Sequence, residues 1–282
     1  MQSTEKLPLR HRRTRFDFSK VPTHWSSGDP FVTRFLDALS VNFPLGERFF
    51  IEAVSAFADR VTDAGLREEI ALFSRQEGQH GGAHSQYNKL LRAQGVDVDK
   101  ILQVLAGHKR ATQRLTPELQ LALTAAAEHL TATLAEGLLE DASFLGESAD
   151  PEMRALYLWH AVEEVEHKAV AFDVYQRFAG GSYWLRVRAM LMITVYLHLR
   201  VSALMGHMFE VDKLRDRRAI VRRGLWRLYG PRGLLTRMLP SYLAWFKPGF
   251  HPWDSGMPAQ ATTWAEAYER HEDVRVATAA LS

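Results

Sequence analysis

His160-Ala161-Val162-Glu163-Glu164-Val165-Glu166-His167 is the stretch on which the fold of this chain turns. Residues three or four apart on a helix share a face. His160, Glu164 and His167 stand at i, i+4 and i+7 and form one stripe. The stripe continues to Ala171, with apolar Trp159 and Val170 beside it, which argues against a plain charged surface helix. Glu163 and Glu166 fall off the stripe and read as solvated, or as support for it. Working outward, the segment opens at Asp150-Pro151-Glu152, an Asp cap followed by Pro at the first helical position, and runs to about Phe178. Gly180-Gly181 stops it.

Gln76-Glu77-Gly78-Gln79-His80 carries a second Glu-x-x-His pair, and His84 lies one turn further along the same face. The spacing predicts a helix from about Leu66 to Ala93, ended by Gly95. Gly78, Gly81 and Gly82 inside it each cost roughly 1 kcal/mol relative to Ala. They admit a close neighbouring helix or leave space above a metal. Two other helical segments each offer a single glutamate. Phe43-Pro44-Leu45-Gly46-Glu47 follows a short helix over 31–41 and begins one from Pro44 to Asp63. Glu47 there is a charge in an apolar run, costly to bury unless paired or metal-bound; a first-turn surface carboxylate is the bland alternative. Thr116-Pro117-Glu118 begins another helix, to about Phe144. Glu128 sits in it among small residues, with Glu136 and Glu140 as competitors on the same helix.

Two Glu-x-x-His pairs plus two lone glutamates are the ligand signature of a dinuclear carboxylate centre inside a four-helix bundle. The expected metal ligands are Glu47, Glu77, His80, Glu128, His160, Glu164 and His167. His84, Tyr87 and Tyr157 lie near them as supporting residues, although packing is the plainer role for the tyrosines. Strand signals are almost absent, so the chain reads as all-α, a ferritin-like four-helix bundle with a helical C-terminal extension. The expected organisation is an irregular arm over 1–30, the bundle over 31–181, and the extension over 182–282 with its aromatic, Pro-rich loop at 242–253.

The 282 residues are 46% hydrophobic and 24% charged, a globular composition. With no cysteine there are no disulfides, iron–sulfur clusters or thiolate sites, so a metal must be held by His and carboxylate. The N-terminus, Met1 to Leu9, has no apolar core like a signal peptide, so a cytoplasmic location is expected. The net charge is +2, yet residues 1–16 carry five Lys/Arg against Glu5, and 211–239 carry nine against Asp212 and Asp216. The acidic excess therefore lies in the middle, with the ligands. The N-terminal arm reads as solvated surface. Tyr183 to Phe209 is strongly apolar but interrupted by Arg186, Arg188, His198, Arg200 and His207, which favours a buried core helix over a membrane span. Residues 183–239 together offer peripheral membrane contact, or a surface for a second copy. No nucleic-acid motif accompanies the basic stretch, so nucleic acid is not expected as a partner.

The pattern His-x-x-x-Glu-x-x-His at 160–167 resembles the di-iron arylamine N-oxygenases, such as the p-aminobenzoate N-oxygenase, where three His and four carboxylates hold two irons. More broadly, residues 12–255 resemble a bacterial family of predicted metal-dependent hydrolases. Phe-Pro-x-Gly-Glu at 43–47, Gln-Glu-x-x-His at 76–80, Trp-His-x-x-x-Glu-x-x-His at 159–167 and Phe-His-Pro-Trp at 250–253 carry that likeness. The leading expectation is a di-iron oxygenase or oxidase that uses O2 and an external electron donor on a small hydrophobic substrate. Its ligand set is rich in negative charge and shows no clear vacancy. A di-metal hydrolase, with manganese or zinc in place of iron, is the alternative, and an iron-handling protein on the same fold is a further one. No Gly-x-Ser-x-Gly elbow supports hydrolysis by a side-chain nucleophile.

Overall fold

The computed structural model describes residues 6–281. Its helices are α1 (Pro30–Ser55), α2 (Ala64–Ala93), α3 (Val98–Thr112), α4 (Pro117–Glu140), α5 (Pro151–His167), α6 (Val170–Phe178), α7 (Tyr183–Val211), α8 (Arg217–Tyr229), α9 (Leu234–Ala244), α10 (Ala259–His271) and α11 (Val274–Ala279). There is no strand element among the described residues, and the chain is an all-α helical bundle. Helices α1, α2, α4 and the α5–α6 pair pack on one another as the four-helix core. Helix α7 lies across α1 and α4, α9 on α4, and α10 and α11 on α5.

The caps explain the boundaries. Asp63, Thr116 and Asp150 each accept a backbone N–H of the first turn of α2, α4 and α5. Pro117 and Pro151 occupy first positions, where a missing N–H costs nothing. Gly95 follows α2 with a φ of 95°.

Pro44 departs from expectation. The short helix over 31–41 and the helix from Pro44 are one continuous α1, with Pro44 in its interior. The start signal used is Asp29-Pro30: Asp29 accepts the N–H groups of Phe31 and Val32. An interior proline loses one backbone bond, and packing of this helix against α2 and α4 outweighs that loss. Gly81 faces the same place. A Cβ there would lie 3.0 Å from Glu47 Oε2 and 3.6 Å from the Pro44 Cα, so this glycine lets α2 approach α1 at the proposed ligand. Gly78 and Gly82 meet nothing within 4 Å.

The expected helix from 151 to 178 breaks at Lys168-Ala169, directly after His167. Lys168 is buried at the break and donates to Glu136 (2.8 Å) and to the Gly256 carbonyl (2.5 Å). Every residue from Ala155 to Phe172 is buried, because the bundle covers one side of α5 while α10, α11 and the N-terminal arm cover the other. The C-terminal segment forms α11, whose Val274 and Ala277 join the core, and Arg275 clasps Glu152 through two bonds of 2.6 and 2.8 Å.

Helix α7 is half of what its composition suggests. Met190, Val201, Leu204 and Met208 are buried, while Trp184, Leu191, Val195 and Leu199 are exposed. It is long and apolar enough to cross a membrane. As a cover for one side of the bundle it buries one face only, so it is not a fully buried core helix.

Candidate metal centre

All seven residues expected as ligands meet in the interior of the bundle. Glu47 comes from α1, Glu77 and His80 from α2, Glu128 from α4, and His160, Glu164 and His167 from α5. Each is at most 5% exposed. Their donor atoms form three overlapping groups of metal-ligand type: Glu47, His80 and His160; Glu77, His80 and Glu164; Glu77, Glu128 and His167. Glu164 Oε1 lies 3.0 Å from His160 Nε2, 3.7 Å from His80 Nδ1 and 3.5 Å from His167 Nε2. Glu77 Oε1 lies 3.4 Å from His80 Nδ1 and 3.3 Å from His167 Nε2. These two carboxylates stand between the groups.

Apart from the His160 Nε2–Glu164 Oε1 pair, the polar atoms facing this centre lack hydrogen-bond partners. Both oxygens of Glu47, Glu77 and Glu128, Oε2 of Glu164, Nδ1 of His80 and Nε2 of His167 are buried and unpaired. Buried polar groups are ordinarily satisfied, because leaving one unmade costs about 1–3 kcal/mol. So many orphans pointing at one spot mark a place where something cationic belongs.

The opposite nitrogen of each imidazole is tied. His80 Nε2 donates to Glu163 (3.0 Å), and His167 Nδ1 donates to the Gln76 side-chain oxygen (3.1 Å). His160 Nδ1 lies 2.8 Å from His84 Nε2, and His84 Nδ1 lies 2.8 Å from Ser40 Oγ. Each ring thus turns its other nitrogen inward, unpaired in His80 and His167 and against Glu164 in His160, as outer partners enforce for metal-bound histidines. Gln76 and Glu163 are anchored in turn. Gln76 Nε2 donates to Glu166 (2.9 Å), and Arg12 reaches Glu166 at 2.5 and 2.9 Å and Glu163 at 3.3 Å.

This outer ring was the part not expected. Glu163 and Glu166 are not solvated; both are buried and share Arg12. Arg12 belongs to the arm that reads as solvated surface, yet it is only 3% exposed. Nothing in the local sequence separates Arg12 from Arg10 or Arg13; only its partners on α5 do. Gln76 had a signal, its place before Glu77 in the repeated motif. His84 supports His160 as a hydrogen-bond partner. The tyrosine hydroxyls do not join the centre: Tyr87 donates to Asp37 (2.7 Å) and Tyr157 to the Leu36 carbonyl (2.8 Å). Of the α4 competitors, Glu128 lies 3.3 Å from His167 Nε2, Glu136 pairs with Lys168, and Glu140 is exposed.

The charges within the protein do not balance. Burial, then the neighbouring carboxylates, pushes Glu47 and Glu77 well above the usual carboxylate range. Burial pushes Glu128 up to about 7. Burial, followed by the nearby His160, holds His80 well below the usual histidine value. Burial also opposes charge on Glu164 and His167, but their mutual attraction wins, keeping Glu164 well below and His167 well above their ordinary values. Four carboxyls with so little compensating charge need added cations to ionise together. The oxygen and imidazole donors suit divalent ions such as zinc, manganese or iron.

One side of the centre is open. A cavity of about 630 Å³ reaches His160 and Glu164 and is otherwise lined mainly by apolar side chains of α1, α4, α7, α8 and α9.

A family described as predicted metal-dependent hydrolase matches residues 10–256. The chain belongs to that family. No curated protein and no solved structure matches it. Membership of the hydrolase family overturns the O2-activating di-iron reading. The physical weakness of that reading was its premise of a closed coordination set. The cavity against His160 and Glu164 supplies the open side that hydrolysis requires. A His and carboxylate donor set is moreover shared by several divalent metals.

Proposed function

We propose that this protein is a hydrolase whose reaction centre is a pair of divalent ions held by Glu47, Glu77, His80, Glu128, His160, Glu164 and His167. The observation that carries the reading is the convergence of unpaired buried donor atoms on one spot beside the open cavity. Seven ligand residues exceed what a single four- to six-coordinate ion takes, and a pair of ions would draw on all seven. Such ions supply Lewis acidity and lower the pKa of a nearby water.

The protein's own residues do the rest. Gln76, Glu163 and His84 fix the three imidazoles, so the donors need not reorganise during turnover. His160 and Glu164 form the inner wall of the cavity, so the scissile group meets this edge of the centre. In hydrolysis the water oxygen bonds to the electrophilic atom, the bond to the leaving group breaks, and the leaving group departs with a proton. The His160–His84–Ser40 chain of hydrogen bonds gives a proton at His160 Nδ1 a defined path away from the centre. The apolar cavity walls exclude bulk water, which strengthens every charge interaction inside.

The test is metal analysis of purified protein, coupled to hydrolysis of aryl esters and phosphoesters before and after chelation. About two divalent ions per chain, with activity lost on chelation and restored by zinc or manganese, is the expected result. Hydrolysis unaffected by complete metal removal would reject the reading.

A further inference from the structure

The cavity is far larger and more apolar than a water channel to a metal pair requires. Its walls include Phe35 and Leu39 of α1, Leu134 of α4, Val201 and Met205 of α7 and Leu235 of α9. A cavity of about 630 Å³ is within the size range of pockets that enclose an organic ligand, roughly 300–1,000 Å³. Its inner end is the His160–Glu164 edge of the centre. Its outer end is lined by Leu225, Tyr229 and Leu239, all exposed, with Arg217 beside them on α8. Charged groups are nearly confined to the two ends. A polar substrate would lose its hydration along this path without compensation, whereas an aliphatic chain gains at every step.

We infer that the cavity is the substrate site and that it binds a long aliphatic chain, with the hydrolysable group at His160 and Glu164 and the chain running out between α7, α8 and α9. This rests on the hydrolytic reading above for the chemistry at the inner end. The chain site stands on the cavity alone. The occupant is assigned by continuity: the space begins at the proposed ligands and ends at the surface, so whatever fills it reaches the reaction centre. Small side chains at Ala135, Ala161 and Gly206 keep its bore open. A Cβ on Gly206 would meet only the end of the Arg217 side chain, at 3.8 Å, so this wall tolerates a larger residue without disturbing the backbone.

Binding of cis-parinarate, followed by its fluorescence, and its displacement by butanoate, octanoate and hexadecanoate test the assignment on the metal-containing protein. Saturable binding of one probe per chain is expected, with displacement tightening by up to roughly fourfold per added methylene. Leu134→Trp and Gly206→Leu, which fill the bore from α4 and from α7, should each weaken binding about tenfold or more while leaving metal content unchanged. Absence of saturable binding, or binding indifferent to chain length, overturns the proposal. Tight binding unchanged in both variants overturns it too, by placing the chain elsewhere. Loss of probe binding in a protein that sediments as a dimer would assign the cavity mouth to a second copy instead. Repeating the titration after chelation separates the two readings. Chain binding that survives in a protein showing no metal-dependent hydrolysis removes the hydrolytic reading and keeps the site.

Discussion

Replacing Arg12 by Met tests whether the N-terminal arm holds the metal centre in shape. The substitution keeps an apolar stem and removes the one cation shared by Glu163 and Glu166. The side chains of both glutamates are fully buried, and the Arg12 side chain is nearly so. Breaking a buried ion pair by deleting one partner costs about 3–5 kcal/mol, because the other charge is left uncompensated. Arg12 also sits over the Trp264 and Tyr268 rings, at 5.5 and 5.6 Å, so the arm loses its grip on α10 as well. At ~2–4 °C per kcal/mol for a chain of this size class, the melting temperature should fall by on the order of 10 °C. Calorimetry of metal-loaded protein at neutral pH measures it. Adding Glu166→Gln to Arg12→Met should recover part of the loss, since one stranded charge is then gone. Metal affinity should also fall about 10- to 100-fold, because Glu163 orients His80. A melting shift under about 2 °C, with metal content intact, would refute the view that Arg12 is a structural counter-ion of the centre.

Gln76→Leu removes the acceptor for His167 Nδ1 without touching a ligand atom, and isothermal titration should show metal affinity reduced about 10- to 100-fold. Unaltered affinity would separate Gln76 from the orientation of His167. Gly224→Ala on α8 would place a Cβ 1.9 Å from Cγ of the buried Phe31 ring, so denaturant unfolding should show a loss of about 1–3 kcal/mol from overpacking. Asp212 carries an acid-side prediction. Burial alone would raise its pKa, but hydrogen bonds and charge from Arg34 and His24 hold it at about 2, below its ordinary 3.8. A depressed carboxylate stabilises the fold above its unfolded value and loses that contribution as pH falls from about 3.8 through about 2. Discounted for partial solvent screening this is about 1 kcal/mol, and Asp212→Asn should flatten that limb of the stability curve measured by urea unfolding.

What could be read from the sequence was whatever local chemistry dictates. The Asp-Pro and Thr-Pro starts, the glycine stops and the i, i+4, i+7 stripe are short-range features, and they located α2, α4 and α5 together with the residues that converge on the centre. The start of α1 misled, because Pro44 carries the same local signal as Pro117 and only packing distinguishes an interior proline from a first-turn one. The break after His167 has no local signature; it is held by Lys168 reaching Glu136 and the Gly256 carbonyl, far along the chain. Arg12 was illegible for the same reason, since its partners lie some 150 residues away. The reaction class was misjudged because ligand identity alone says nothing of the open side. That side is built by α7, α8 and α9, whose sequences show only that they are apolar and basic.

The clasp of α10 and α11 on α5 has a consequence for how the protein is made. The helix that carries His160, Glu164 and His167 stays uncovered along one flank until residues 259–279 have emerged from the ribosome. On the proposed reading, stable retention of metal is therefore expected only after α11 has been made. A nascent chain arrested before residue 259 should be cut within α5 by added protease, and should not retain metal. Metal loading would in this sense be a late event, timed by translation of a segment that contributes none of the proposed ligands.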